Sequence, residues 1–155
     1  MHLYDSIPSF EGASSWSAGG PLEPEALRGR PTLIHIWSQA CTACREQAPS
    51  LLRWAAEFGP QGLQIVGLHA RSSPEQRDEE ARRVAEEEGL RHPIAYDGVG
   101  APITRRFGAT FVPSYFLFDA DGRLRHRQAG LRADVATEAA IRRVLEEERE
   151  RAPTA

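Results

Sequence analysis

The order of apolar and polar positions along the chain predicts strands and helices that alternate between residues 31 and 150. Short apolar runs rich in β-branched and aromatic residues predict buried strands, at 32–37, 63–69, 94–96 and 114–119. Apolar residues spaced three and four positions apart among charged ones predict helices. These helices are expected at 42–58, 73–88, 101–107 and 134–150.

Proline and glycine help to place the ends of these elements. Pro74 has a fixed φ that suits the first turn of a helix, and Gly89 suits the position just after one. Asp121-Gly122 predicts a hairpin turn before a returning strand at 124–128. In the last helix, the periodicity predicts five inward-facing positions, which are Val135, Ala139, Ile141, Val144 and Leu145.

Alternation of strands and helices favours parallel strands, and the hairpin adds an antiparallel pair. The expected fold class is α/β, with a central mixed sheet flanked by helices on both faces. Residues 1–30 are punctuated by proline and glycine, so they are predicted to be an irregular lead-in packed on the domain at 31–150. Residues 151–155 are predicted to be a frayed tail.

Length and composition fit one globular domain. The chain has 155 residues, of which 41% are hydrophobic and 26% charged, and its net charge is −3. Nothing in this balance favours nucleic acid or an anionic membrane as a partner. The N-terminus lacks the basic and apolar regions of a secretory signal, so the sequence predicts a cytoplasmic protein, and a periplasmic or membrane-facing location is the alternative if a signal has been trimmed. A monomer is expected.

The two cysteines, Cys41 and Cys44, lie three positions apart in "IWSQACTAC", where a predicted strand gives way to a predicted helix. Residues at this spacing share one helix face and are close enough for a disulfide. A helix amino terminus carries partial positive charge and free N–H groups, which lower the pKa of a thiol there. The pattern therefore predicts dithiol–disulfide exchange, with Cys41 as nucleophile and Cys44 as resolving thiol.

Other interpretations of the cysteine pair stay open. Two cysteines are too few for a closed zinc site, and the five histidines show no paired spacing. Two buried, inert thiols are a further alternative. Thiolates also suit Cu(I), so a non-enzymatic copper-binding protein, with His69 or His126 as a further ligand, is conceivable. For dithiol exchange no metal or other cofactor is predicted.

The segments "HIWSQACTACREQAP" (35–49) and "RRFGATFVPSYFLFDADGRLRHRQAG" (105–130) resemble thioredoxin-fold thiol–disulfide oxidoreductases of the TlpA/ResA group. The resemblance covers about residues 8–146. It implies a thioredoxin fold and dithiol–disulfide exchange with protein disulfides. We expect a reductase that receives electrons from an upstream thiol donor, while the Thr42-Ala43 dipeptide between the cysteines leaves the opposite, oxidising direction open. The positions that fall on the family pattern are Trp37, Cys41, Cys44, Pro49, Pro113, Phe116, Asp119, Gly122 and Gly130.

The same resemblance implies the substrate-binding residues. Pro113 matches the family's cis proline, and the backbone of Val112 is expected to pair with the extended chain of a partner. Trp37 matches a tryptophan near the site, and Thr42 and Ala43 lie between the cysteines.

A peroxiredoxin-like peroxidase is the alternative enzyme. Ser38 occupies the hydroxyl position of the peroxiredoxin pattern, but Ile34 stands where that pattern has proline, and a second cysteine follows closely. Both features count against this alternative.

His35 stands six residues before Cys41, where thioredoxins carry a buried carboxylate. A neutral imidazole can take a proton from Cys44 and return it. The alternative is a hydrogen-bonded core histidine without a role in the chemistry. His69, at the end of the second predicted strand, is a weaker candidate for the same task.

Overall fold

The computed structural model describes residues 1–152, which form a six-stranded mixed sheet flanked by helices. The strands are β1 (Ala13–Trp16), β2 (Thr32–Trp37), β3 (Gln64–His69), β4 (Ile94–Asp97), β5 (Ser114–Phe118) and β6 (Leu124–Ala129). The helices are α1 (Pro24–Leu27), α2 (Thr42–Phe58), α3 (Asp78–Glu87), α4 (Pro102–Phe107) and α5 (Ala133–Arg151), and a 3₁₀ turn covers Gly59–Gln61.

The sheet has the order β1-β4-β3-β2-β5-β6. At its centre, β2 runs parallel to β3 and antiparallel to β5, and β3 runs parallel to β4. The predicted α/β class and mixed sheet are therefore confirmed. Because β2 is central, the loop that follows Trp37 lies at the carboxyl edge of the parallel strands, where open α/β sheets place their sites.

Helices cover both faces of β2, so every residue of this strand is buried. Leu33 and Trp37 pack on one face with side chains of α2, α3 and α5. Ile34 and Ile36 pack on the other face with side chains of α1, α4 and the N-terminal segment. Among the helices of residues 1–152, none is long and apolar enough to cross a membrane.

The N-terminal thirty residues contain β1, a strand that the prediction of an irregular lead-in missed. This strand pairs antiparallel with β4, with Ser15 opposite Tyr96 and Trp16 opposite Ala95. Its four residues, "ASSW", show no apolar alternation, so the sequence carries no strand signal there. The strand forms because β4 offers it an open edge.

Helix α3 begins at Asp78, five residues after the predicted start at Ser73. The N–H of Ser72 donates to Gln76 Oε1 at 2.8 Å, and Arg71 donates to the Gln76 carbonyl, which together hold this segment as a turn. The Asp78 carboxylate then accepts the hydroxyl of Ser15 at 2.6 Å. Tertiary contacts therefore prevail over the local preference of Pro74 for a helix start.

Helix α5 buries three of the five positions that were predicted to face inward, Ile141, Val144 and Leu145. Val135 is 61% exposed and Ala139 is also exposed, so both predictions were wrong. The buried positions are Ala133, Thr137, Ala140, Ile141, Val144 and Leu145. A polar residue, Thr137, occupies the inward stripe and lies 3.2 Å from His126 Nε2, which a purely apolar periodicity does not reveal. The helix extends to Arg151, and the rest of the predicted tail, 153–155, lies outside the described residues.

Candidate active site

The loop after β2 brings Cys41 to the amino terminus of α2. Cys41 is the N-cap residue, and its sulfur accepts the N–H of Cys44 at 3.0 Å. A disulfide joins the two residues, whose Cα atoms are 5.2 Å apart. Cys44 is 3% exposed, whereas Cys41 is partly exposed. A partner molecule can therefore reach the Cys41 sulfur more easily than the Cys44 sulfur.

Three hydrogen bonds fix the turn that leads into Cys41. The N–H of Cys41 donates to the Ser38 carbonyl at 3.2 Å, which closes the turn. Inside the turn, the N–H of Gln39 donates to His69 Nε2 at 3.3 Å. The Gln39 side chain also donates to Glu80 Oε2 at 3.0 Å, which ties the turn to α3.

The Val112–Pro113 peptide bond is cis, as the resemblance implies. Pro113 is buried, and Val112 is half-buried and packs against the same apolar cluster as Cys41. Two neighbouring apolar side chains face solvent: Phe111 is 70% exposed and Leu131 is 78% exposed. Leu131 lies close to Pro113, because the preceding N–H, that of Gly130, donates to the Pro113 carbonyl at 2.9 Å.

The other predicted substrate-binding residues occupy different depths. Thr42 is exposed and Ala43 is half-buried. Trp37 is 1% exposed and packs edge-on against His69, with ring centroids 4.8 Å apart. Trp37 therefore lies beneath the site and supports the loop that carries Cys41.

Gln47, one turn beyond Cys44, joins the cysteine-bearing helix to the proline segment. Its side-chain amide donates to the Gly130 carbonyl at 3.0 Å, and its Oε1 accepts the Tyr115 hydroxyl at 2.8 Å. Gly130 in turn donates to Pro113. The sequence analysis did not identify Gln47. Its signal is a polar residue on the buried face of α2, a face that also contains the buried Ser50.

His35 lies in the core of the fold, on β2. Its Cα is opposite Gly67 on β3 and Tyr115 on β5, and its ring stacks on Tyr115 with centroids 5.2 Å apart. Neither ring nitrogen has a hydrogen-bond partner among the described residues. Burial, with a smaller contribution from the nearby His92, lowers the pKa of His35 to about 3. The imidazole is therefore neutral at neutral pH.

His69 is also neutral. Burial lowers the pKa of its imidazole to about 4, although the carboxylate of Asp78 opposes that shift. Its Nε2 accepts the N–H of Gln39, so this nitrogen is already engaged and is not free to take a proton from Cys44. Arg45, the residue after Cys44, approaches Glu88 at 3.7 Å. A helix amino terminus with free N–H groups is an environment that favours a thiolate.

Within residues 1–152, no group of three or more His, Cys, Asp or Glu side chains is arranged to hold a metal ion. His126, named above as a conceivable copper ligand, lies on β6 beside the Thr137 hydroxyl.

Comparison with known proteins gives a consistent picture. The Redoxin family model matches residues 4–145. The thiol-disulfide oxidoreductase YkuV of Bacillus subtilis (strain 168) is 32% identical over 148 residues, which cover 95% of this chain and 99% of YkuV. The thiol-disulfide oxidoreductase ResA of Bacillus thuringiensis (strain Al Hakam) is 26% identical over 106 residues, 68% of this chain and 58% of ResA.

One of the similar solved structures matches this chain both in fold and in sequence. The solution structure of a thioredoxin-like protein in the oxidized form superposes with a TM-score of 0.81 at 30% identity and covers 95% of this chain and 99% of that one. The expected thioredoxin fold is therefore confirmed.

Proposed function

The chain belongs to the Redoxin family and is a thiol–disulfide oxidoreductase of the TlpA/ResA-like group, and on that premise we propose that it reduces disulfides of partner proteins through Cys41 and Cys44. The observation that carries the proposal is the Cys41–Cys44 pair at the amino terminus of α2, with the more accessible sulfur at the N-cap.

In the first step, the Cys41 thiolate attacks one sulfur of the partner's disulfide. The S–S bond of the partner breaks, a bond between Cys41 and the partner forms, and the second partner sulfur leaves as a thiolate that takes a proton from water. The helix terminus and the Cys44 N–H, which contacts the Cys41 sulfur at 3.0 Å in the disulfide, favour the attacking thiolate.

In the second step, Cys44 loses its proton and attacks the Cys41 sulfur. The mixed disulfide breaks, the Cys41–Cys44 disulfide forms, and the partner leaves fully reduced. We assign His35 as the acceptor of that proton, because its neutral ring has one nitrogen with a free lone pair and neither nitrogen has a partner among residues 1–152. Because the pKa of His35 is lowered to about 3, the imidazole is a weak base and the transfer from a thiol is uphill, so the imidazolium would be short-lived and would pass the proton on at once.

The surface around Cys41 suits an extended polypeptide. The backbone at Val112 would pair with the partner chain, and Thr42 and Ala43 would contact it beside the disulfide. The exposed side chains of Phe111 and Leu131 would cover apolar residues on either side of the partner's cysteine. Trp37 would act by supporting this surface from beneath.

The electrostatics of the site support the reducing direction. Strong oxidants of this fold owe their high potential to a stabilised reduced form. Here the nearby histidines, His35 and His69, are neutral at neutral pH, so they add no positive charge to stabilise a Cys41 thiolate. Each turnover leaves the disulfide form, so an upstream thiol donor must supply two electrons. A reductase of this kind fits the reducing cytoplasm, the compartment that the sequence predicts.

Cysteine variants test the proposal. Cys44→Ser should accumulate mixed disulfides with partner proteins, because the resolving thiol is missing. Cys41→Ser should form none and should lose exchange entirely. Equal behaviour of the two variants would contradict the assigned roles. His35→Phe should lengthen the lifetime of the mixed disulfide in the chain that keeps both cysteines, and an unchanged lifetime would remove His35 from the mechanism.

A further inference from the structure

The imidazole of His69 contacts the one backbone turn that determines where Cys41 lies. His69 is the last residue of β3, and its Cα is opposite Trp37, the last residue of β2. The N–H of Ala70 donates to the Trp37 carbonyl at 2.8 Å and continues the ladder one step further. Beyond this point the segments that follow β2 and β3 separate, and the His69 side chain reaches across to the N–H of Gln39.

The side chain is held rigidly where it makes this bridge. His69 is 2% exposed, and its ring lies between Trp37, at a centroid distance of 4.8 Å, and Tyr96, at 5.8 Å. Because Nε2 accepts the Gln39 N–H, the ring must be neutral and must carry its hydrogen on Nδ1. The charged groups that affect the ring are Asp78, Arg71 and Asp97.

We propose that His69 is a positioning residue for the exchange reaction: it anchors the turn 38–41 through the Gln39 N–H and thereby holds the Cys41 sulfur against the amino terminus of α2. The proposal rests on Cys41 being the attacking thiol. Gln39 and Ala40 are the central residues of that turn, which the Ser38 carbonyl and the Cys41 N–H close. If the anchor is lost, the turn shifts and the sulfur moves away from the N–H groups that stabilise its charge.

The pKa of the Cys41 thiol measures this effect. It can be titrated by thiolate absorbance at 240 nm in the full chain carrying Cys44→Ser, where Cys41 is the single cysteine. His69→Phe keeps an aromatic ring and removes the acceptor. His69→Gln places an amide oxygen near the Nε2 position and keeps an acceptor. We expect His69→Phe to raise the pKa of Cys41 by about 1, because a charge-assisted hydrogen bond is at stake, and His69→Gln to restore most of the original value.

A second pair of variants tests the same bond from the donor side. Gln39→Pro removes the N–H, and proline is favoured at this position of a tight turn. Gln39→Ala keeps the N–H and removes only the contact with Glu80, so it is the matched control. Gln39→Pro should raise the pKa of Cys41 as His69→Phe does, and Gln39→Ala should leave it unchanged. If His69→Phe does not fold, these two Gln39 variants test the positioning role of His69 in its place.

The outcomes separate this inference from the proposed function. If the parent thiol titrates at about 8.5, as an unperturbed cysteine does, the assignment of Cys41 as the attacking thiolate fails. If the parent pKa is low but His69→Phe and Gln39→Pro leave it unchanged, the positioning role fails alone. Equal shifts in His69→Phe and His69→Gln would also overturn it. Thermal unfolding of each variant, measured in parallel, distinguishes a general loss of stability from this local effect.

Discussion

The side-chain amide of Gln47 lies 3.0 Å from the carbonyl oxygen of Gly130, and this hydrogen bond joins the two halves of the exchange site. Gln47 lies on the helix that carries Cys44, and Gly130 donates to the carbonyl of Pro113. The cysteine pair and the proline segment are therefore connected through one buried amide. Without that amide, the Gly130 carbonyl would lose this link to α2, although Ser50 would still donate to Asp134 on α5.

Gln47→Leu should lower the free energy of unfolding by about 2–4 kcal/mol, because it leaves the Gly130 carbonyl and the Tyr115 hydroxyl without this partner in the interior. Tyr115→Phe should cost about 1–2 kcal/mol, since Gln47 keeps its bond to Gly130. Urea denaturation measures both values. Tyr4→Phe, at an exposed tyrosine, is the control. A Gln47→Leu protein as stable as the wild type would contradict the role of the amide.

The buried His35 should make the protein less stable in acid. In the unfolded chain this imidazole binds a proton below pH 6.5, whereas in the folded protein its pKa is about 3. Because the unfolded state binds more protons between these values, the free energy of unfolding must fall as the pH falls from about 6.5 to 3. At pH 5 the contribution of His35 to this loss is about 2 kcal/mol.

His35→Phe removes that contribution, so its loss of stability between pH 7 and pH 5 should be about 2 kcal/mol smaller than that of the wild type. Denaturation at the two pH values measures the difference. His2→Gln, at an exposed histidine, should keep the wild-type dependence. Equal pH dependence of the wild type and His35→Phe would show that His35 is not held neutral.

Leu131→Ser should weaken the binding of a peptide disulfide with apolar residues beside its cysteine. Partial burial of a leucine side chain is worth about 1 kcal/mol, so KM should rise about fivefold. Phe111→Ser should act in the same direction. Reduction of the enzyme's own disulfide by dithiothreitol should not change, because that reaction needs no polypeptide contact. Tyr4→Ser is the control and should leave KM unaltered. The Tyr4 side chain is exposed, and the backbone N–H of Tyr4 donates to the carbonyl of Leu124, at the end of the sheet opposite the cysteines.

Local patterns predicted the elements that carry the cysteines. Thr32–Trp37 and Thr42–Phe58 have the predicted bounds, because an apolar β-rich run and an amphipathic helix are properties of the segment itself. The cysteine pair could be identified for the same reason. The resemblance to known oxidoreductases, and not the periodicity, indicated the cis bond before Pro113.

Contacts between distant residues explain what the sequence did not reveal. Gln47 meets Gly130 across 83 positions, and Gln39 meets His69 across 30. Neither pairing leaves a local pattern in the chain. The start of α3 at Asp78 depends likewise on the hydroxyls of Ser14 and Ser15, which come from a strand without a strand signal. Side-chain hydrogen bonds of this kind become visible only in the folded structure.

The equilibrium reduction potential of the Cys41–Cys44 couple tests the central claim most directly. It is measured by equilibrating the protein in dithiothreitol or glutathione buffers and quantifying the free thiols. The account predicts a value near that of thioredoxin, about −270 mV, since neither His35 nor His69 carries a positive charge that would stabilise the reduced form. A value near −120 mV, typical of a strong oxidant, would contradict the proposed reducing role and the proposed cytoplasmic location.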